Sequence, residues 1–195
     1  MGIYEFAGCV VSYEPLYGLL RRRMETYRSD TEGQPDITLD GTKEDYEKLR
    51  KQYPHLSIEE CEYSCAGAEF YMKLLKHQGF MIHASAVEKE GKAYLFSAPS
   101  GTGKSTHAQL WRQTFKGEPI RIINDDKPAV CLQNGVFYAC GTPFSGKTDK
   151  NENRKAPIQG LCMLHRGKTN KIQKITSGEA LPLILPQTLF YGDEE

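Results

Sequence analysis

The chain has no charge imbalance: 25 Lys and Arg stand against 25 Asp and Glu in 195 residues. A surface built to hold nucleic acid or an anionic membrane needs a basic excess, so neither partner is expected. No apolar run approaches bilayer-spanning length, and no leader with a basic start and an apolar middle opens the sequence. No Cys-x-x-Cys pair occurs among Cys9, Cys61, Cys65, Cys131, Cys140 and Cys162, which argues against a zinc ribbon. Scattered, unpaired thiols suit a reducing compartment, and a cytoplasmic location is expected. There is no internal repeat, no low-complexity tract and no linker-like break in composition. The length then fits one domain over residues 1–195, enough to bury a proper core. The one tight basic cluster, Arg21-Arg22-Arg23, reads as a solvated helix face.

What is present is a mixture of strand-like and helix-like segments. Ile3 to Tyr13, with Gly8 inside, reads as a strand or a bulged strand, and Pro15 to Tyr27 as a helix. Thr42 with Asp45, and Ser57 with Glu60, form capping-box patterns that open two more helices. Behind Ser57 an apolar stripe steps through Ile58, Cys61, Cys65, Ala68, Met72 and Leu75, and Gly79 ends it. Phe80 to Val87 reads as one strand, turned by Glu90-Gly91 into Lys92 to Ser97. A hairpin is expected about Asn134-Gly135, and another joins Ile158–His165 to Lys171–Ile175. Gly141 to Ala156 reads as a long polar loop, held loosely until something binds to it. Three portions result: strands and helices over 1–79, a core over 80–176, and a proline-broken helix over 177–195.

The chemistry concentrates in Ser97-Ala98-Pro99-Ser100-Gly101-Thr102-Gly103-Lys104-Ser105-Thr106. An apolar β-prone run precedes it and an amphipathic helical run follows. Glycines at 101 and 103 let backbone N–H groups converge without a Cβ in the way. Those groups, with the positive end of the following helix, suit a phosphate chain. Lys104 reaches the outer phosphates, and the Ser105 hydroxyl suits the bridging metal. Ser100, Gly101, Thr102, Gly103, Lys104, Ser105 and Thr106 are therefore the expected nucleotide-binding residues. The eight-residue phosphate-loop pattern wants glycine where Ala98 stands. The plainer alternative is a glycine turn with an incidental lysine.

Further along, Arg121-Ile122-Ile123 runs into Asn124-Asp125-Asp126. A carboxylate at a strand end can hold magnesium, and a second beside it can accept a hydroxyl proton. Ser105, Asp125 and Asp126 are the expected metal-binding residues. His83 lies one hairpin before the glycine loop and could face the same site. Lys147, in the polar loop, is the cation expected to reach the transferred phosphoryl group or the acceptor. His83, Lys104, Asp125, Asp126 and Lys147 make up the expected catalytic set.

The succession His83-Ala84-Ser85-Ala86, Ser100 to Thr106 and Asp125-Asp126 resembles the nucleotide core of phosphoenolpyruvate carboxykinase and of HPr kinase/phosphorylase. The runs Asn124-Asp125-Asp126-Lys127-Pro128 and Gly141-Thr142-Pro143-Phe144-Ser145-Gly146-Lys147 make it more similar still to uncharacterised bacterial proteins grouped with HPr kinase. The resemblance implies an α/β fold, a carboxykinase-like P-loop domain with a mixed β-sheet flanked by helices. It implies a cytoplasmic kinase using ATP and Mg2+ to phosphorylate a hydroxyl of a protein, peptide or small molecule, with a homo-oligomer left open. For His83 it implies two different roles, a metal ligand in the carboxykinase and a residue assisting the base in the kinase. The carboxykinase's substrate-binding arginine and second metal-ligand lysine have no match here. A carboxykinase-type or pyrophosphate-using phosphotransferase, and a non-catalytic nucleotide-gated binding module, are the alternatives.

Overall fold

The computed structural model describes residues 1–115 and 117–189. It is an α/β fold with a mixed, curled sheet flanked by helices. The opening segment is a hairpin, β1 (Gly2–Phe6) and β2 (Cys9–Tyr13), rather than one bulged strand. Ala7 and Gly8 turn the chain with φ of 54° and 76°, the left-handed pair that two-residue hairpin turns require. The short strand β3 (Ile37–Thr38) adds beside β2 to make a three-stranded sheet.

Three helices precede the large sheet: α1 (Gly18–Glu25), α2 (Lys43–Gln52) and α3 (Ile58–Leu74). Both capping boxes form as their spacing requires. The buried face of α3 differs from the expected stripe. Tyr63, Ala66, Phe70, Tyr71 and Leu74 are buried, whereas Ala68 and Leu75 are exposed. The face that wins is the aromatic one, because it packs on Phe6 and Phe144 from two other parts of the chain.

That choice also buries Glu62, which is wholly inaccessible. Its carboxylate accepts from Tyr13 Oη and from the backbone N–H groups of Leu16 and Tyr17. Glu59 accepts from Gly18 N. Helix α1 has no side-chain cap of its own, so α3 supplies acceptors for its first N–H group, at Gly18, and for the two residues before it. Burial raises the Glu62 carboxyl above its ordinary value, against the lowering effect of those donors. The folded state therefore holds the proton more tightly than the unfolded chain, and wild-type stability falls as pH rises from about 4.5 through the raised value. Glu62→Gln should cost about 1–3 kcal/mol by turning an NH2 group toward a buried donor. Its deficit against wild type should narrow as pH rises through that window. Urea unfolding of both proteins across the window checks this; a gap independent of pH would contradict it.

The large sheet contains seven strands in the order β4 (Gly79–Met81), β8 (Ala129–Gln133), β9 (Val136–Cys140), β10 (Lys155–Met163), β6 (Lys92–Ser97), β5 (Ala84–Lys89), β7 (Arg121–Asn124). Its one parallel pair is β10 with β6. The expected strand Phe80–Val87 is split at Ile82-His83, and its halves lie far apart in the sheet. His83 thus sits at a crossing between strands, where its N–H donates to Gln187 O. The hairpin expected about Arg166-Gly167 is absent: β10 pairs with β9 and β6 instead, and no strand covers 171–175. Helix α4 (Lys104–Thr114) covers one face, where Val87, Phe96 and Ile122 meet Trp111 and Phe115. The other face buries Ile82, Ala86, Leu95 and Ile123, with Ile184 of α5 (Ser177–Ile184) against it. Helix α5 runs through Pro182 without the expected break, and the chain tightens to a 3-10 turn only at Leu185–Gln187, around Pro186; residues 190–195 of that reading lie outside the described residues. Among the described residues no helix is long and apolar enough to cross a membrane.

Candidate functional site

The glycine loop joins β6 to α4 at the end of the sheet. Gly101 and Gly103 have φ of 76° and 117°, so both backbone positions favour glycine. No atom lies within 4 Å of where a Cβ would stand on either. The protein does not crowd these glycines, and the space above them is open. Gly103 is the N-cap of α4 and brings no side-chain cap, which leaves the helix's first N–H groups available to another partner. Lys104 is nearly buried, with its Nζ donating to Ala98 O at 2.9 Å. Burial lowers the Lys104 ammonium, and the charges of Asp126 and Asp125 oppose that shift.

The acidic pair stands at the end of β7, and its two members differ. Asp125 is buried, accepting from Ser85 Oγ at 2.7 Å and Thr148 Oγ1 at 2.9 Å. Asp126 is partly open, its Oδ1 lying 3.3 Å from His83 Nε2. Burial would raise the Asp126 carboxyl; the hydrogen bond from His83 and the charges of Lys127 and Lys104 outweigh it and hold it below the ordinary carboxylate value. Asn124 shapes the turn between them, its Oδ1 accepting from the N–H groups of Asp126 and Lys127. Its Nδ2 donates to Thr142, anchoring the next segment to the same strand.

That next segment, 141–154, is not the loosely held loop its polarity suggests. Thr142, Phe144 and Ser145 are fully buried. Phe144 packs among Phe6, Tyr63, Phe70 and Tyr71. Lys150 O accepts from Asp125 N, Ile123 O from Glu152 N, and Thr148 holds the Asp125 carboxylate. A 3-10 turn at Gly146–Thr148 leaves Lys147 exposed at its tip. Arg23 grips this turn from α1, donating to Gly146 O at 2.8 Å and lying over the Tyr63 ring. Of the Arg21–Arg23 cluster, then, Arg21 and Arg22 are solvated as expected and Arg23 is not.

These segments enclose a cleft of about 700 Å³. His83, Ser100, Ser105, Asp125, Asp126 and Lys147 all line it. Lys104 lies buried in the loop beside it, Gly101, Thr102 and Gly103 form the loop's backbone, and Thr106 is turned to the exposed side of α4. Arg23, Tyr63, Lys127 and Thr148 also line the cleft and were not expected from sequence. Lys127 Nζ stands 3.8 Å from Asp126 Oδ2 and 5.4 Å from the Tyr63 ring centroid. Only the Asn124 to Pro128 run hinted at it. Among the described residues no three His, Cys, Asp or Glu side chains cluster closely enough to hold a metal by themselves. Magnesium asks for less than that, one or two carboxylates completed by phosphate oxygens and water.

No protein-family model matches the chain, and a search of curated proteins finds no match.

Proposed function

We propose that the chain is an ATP-dependent kinase of the HPr kinase-like type, built on a carboxykinase-like P-loop domain, cytoplasmic, and acting on a hydroxyl acceptor. The observation that carries this reading is the convergence of Ser100, Ser105, His83, Asp125, Asp126 and Lys147, from four separated stretches of sequence, on one cleft. The glycine loop and the uncapped start of α4 would cradle the triphosphate, with Lys104 exchanging the Ala98 carbonyl for phosphate oxygens. Ser105 and Asp125 would hold magnesium, which supplies charge neutralisation between the outer phosphates. Asp126 is the member of the pair open to the cleft and oriented by His83. It would take the proton as the acceptor oxygen attacks the γ-phosphorus and the bond to the bridging oxygen breaks. Lys147, at the tip of a fixed turn, would meet the transferred group or the acceptor.

Transfer of labelled γ-phosphate from ATP into a fractionated lysate tests the activity. Incorporation that disappears with Asp126→Asn supports the reading; neither transfer nor ATP hydrolysis in the presence of magnesium would overturn it. Nucleotide binding should depend on Lys104. Lys104→Ala removes a charge-assisted hydrogen bond of about 1.5–3 kcal/mol, roughly ten- to a hundredfold in affinity. Calorimetric titration with ATP and magnesium reads this directly, and equal affinities would remove the phosphate-loop assignment.

A further inference from the structure

Strand β10 runs parallel to β6, with Met163 beside Ser97. The pairing continues one residue further, where Leu164 N donates to Ser97 O at 2.8 Å. The chain leaving β10 is therefore delivered alongside the chain entering the glycine loop. Two residues later Arg166 lies against that loop, its Nη2 donating to Gly101 O at 2.6 Å. This contact pairs residues 65 apart in sequence, and only the parallel register brings them together.

Three features distinguish this arginine from other surface cations. It meets Gly101, one of the two glycines whose overlying space is open. It has no carboxylate within ion-pair distance among the described residues. By contrast, the shallow basic groove lined by Arg28, Arg154 and Lys155 has its arginines already engaged, Arg28 with Glu25 and Arg154 with Glu88 and Glu152. Finally, the only other cationic side chain bonded to this loop among the described residues is Lys104, itself held inward by Ala98 O. A neutral carbonyl is a weak partner for a guanidinium, whose fork of donors matches a phosphate's oxygens far better.

We propose that Arg166 is a second phosphate-binding cation of the nucleotide site, exchanging the Gly101 carbonyl for phosphate oxygens from the outer lip of the loop. This rests on the phosphate-loop reading of residues 98–106. Lys104 would hold the phosphates from within the loop and Arg166 from outside.

The test compares wild type, Arg166→Ala, Arg166→Lys and Lys104→Ala in calorimetric titrations with magnesium and ATP, with magnesium and ADP, and with adenosine. Arg166→Ala should weaken ATP and ADP binding about ten- to a hundredfold, while adenosine binding stays at its wild-type level. Arg166→Lys should recover part of the loss, since it restores charge without the fork. Arg166 is exposed, so thermal melting of Arg166→Ala should match wild type. Unchanged ATP affinity in Arg166→Ala, with Lys104→Ala impaired, would overturn the proposal and leave the phosphate loop standing. Equal weakening for adenosine would also overturn it, because the arginine would then act by supporting the loop. Failure of wild type to bind either phosphorylated nucleotide would overturn the phosphate loop and this proposal together.

Discussion

Asp126→Asn should lower turnover about 10²–10⁴-fold while leaving magnesium–ATP affinity within a few fold of wild type. The substitution keeps the side chain's shape and removes its basicity. Asp126 Oδ1 faces His83, and the carboxylate stays open to the cleft, so an acceptor hydroxyl can approach it. Asp125→Asn should behave differently. Both Asp125 oxygens accept from hydroxyls, Ser85 on one side and Thr148 on the other, in a buried setting. Its loss should weaken magnesium-dependent nucleotide binding and loosen the turn that carries Lys147. Steady-state transfer or hydrolysis, paired with calorimetric titration of each variant, separates the two effects. Wild-type turnover in both would return the acidic pair to a structural turn, whatever the nucleotide affinity.

Gly141→Ala should destabilise the protein by about 3 kcal/mol or more, beyond the usual range for an added methyl group. A Cβ at Gly141 would lie 1.8 Å from Glu152 O and 2.9 Å from Ile123 O. Both are backbone atoms, so no rotamer change can relieve the overlap. The segment that must yield is tied to β7 through Glu152 N to Ile123 O and closed on itself through Gly141 N to Arg154 O. The same segment positions Asp125 through Lys150 and Thr148, so activity should fall along with stability. Urea unfolding measures the first effect and turnover of the folded fraction the second. Gly178→Ala is the matched control. Gly178 lies in α5 with nothing within 4 Å of a Cβ, and alanine there should equal or exceed wild type, since alanine favours helix over glycine. A Gly141→Ala protein as stable as that control would contradict the close approach of the two backbones.

The candidate site is largely legible in the sequence, for a local reason. Ser100 to Ser105 and Asn124-Asp125-Asp126 are short runs whose chemistry and backbone demands are written in adjacent residues: positive φ at Gly101 and Gly103, a side-chain acceptor at Asn124 that turns the chain between two acids. Capping boxes at Thr42 and Ser57 were legible in the same way, because cap and partner are three residues apart. Errors appeared wherever a partner was distant. The stripe read along α3 missed its buried face, since Phe6 and Phe144 decide which side is covered. Lys171–Ile175 has strand-like residues but no strand partner, because β10 pairs with β6 and β9. Segment 141–154 looked loose because its anchors are Asn124, Ile123, Asp125 and an aromatic cluster, none of them nearby in sequence.

The sequence by itself determined the Glu90-Gly91 and Asn134-Gly135 turns, the caps, the glycine loop and the acidic pair, each governed by backbone sterics and hydrogen bonds spanning a few residues. Only the tertiary structure decided that His83 leaves the strand to face Asp126, that Arg23 holds the Lys147 turn and that Arg166 reaches Gly101. Those contacts join residues 43, 123 and 65 positions apart, and burial and strand pairing over such spans depend on the whole packed sheet rather than on any local pattern.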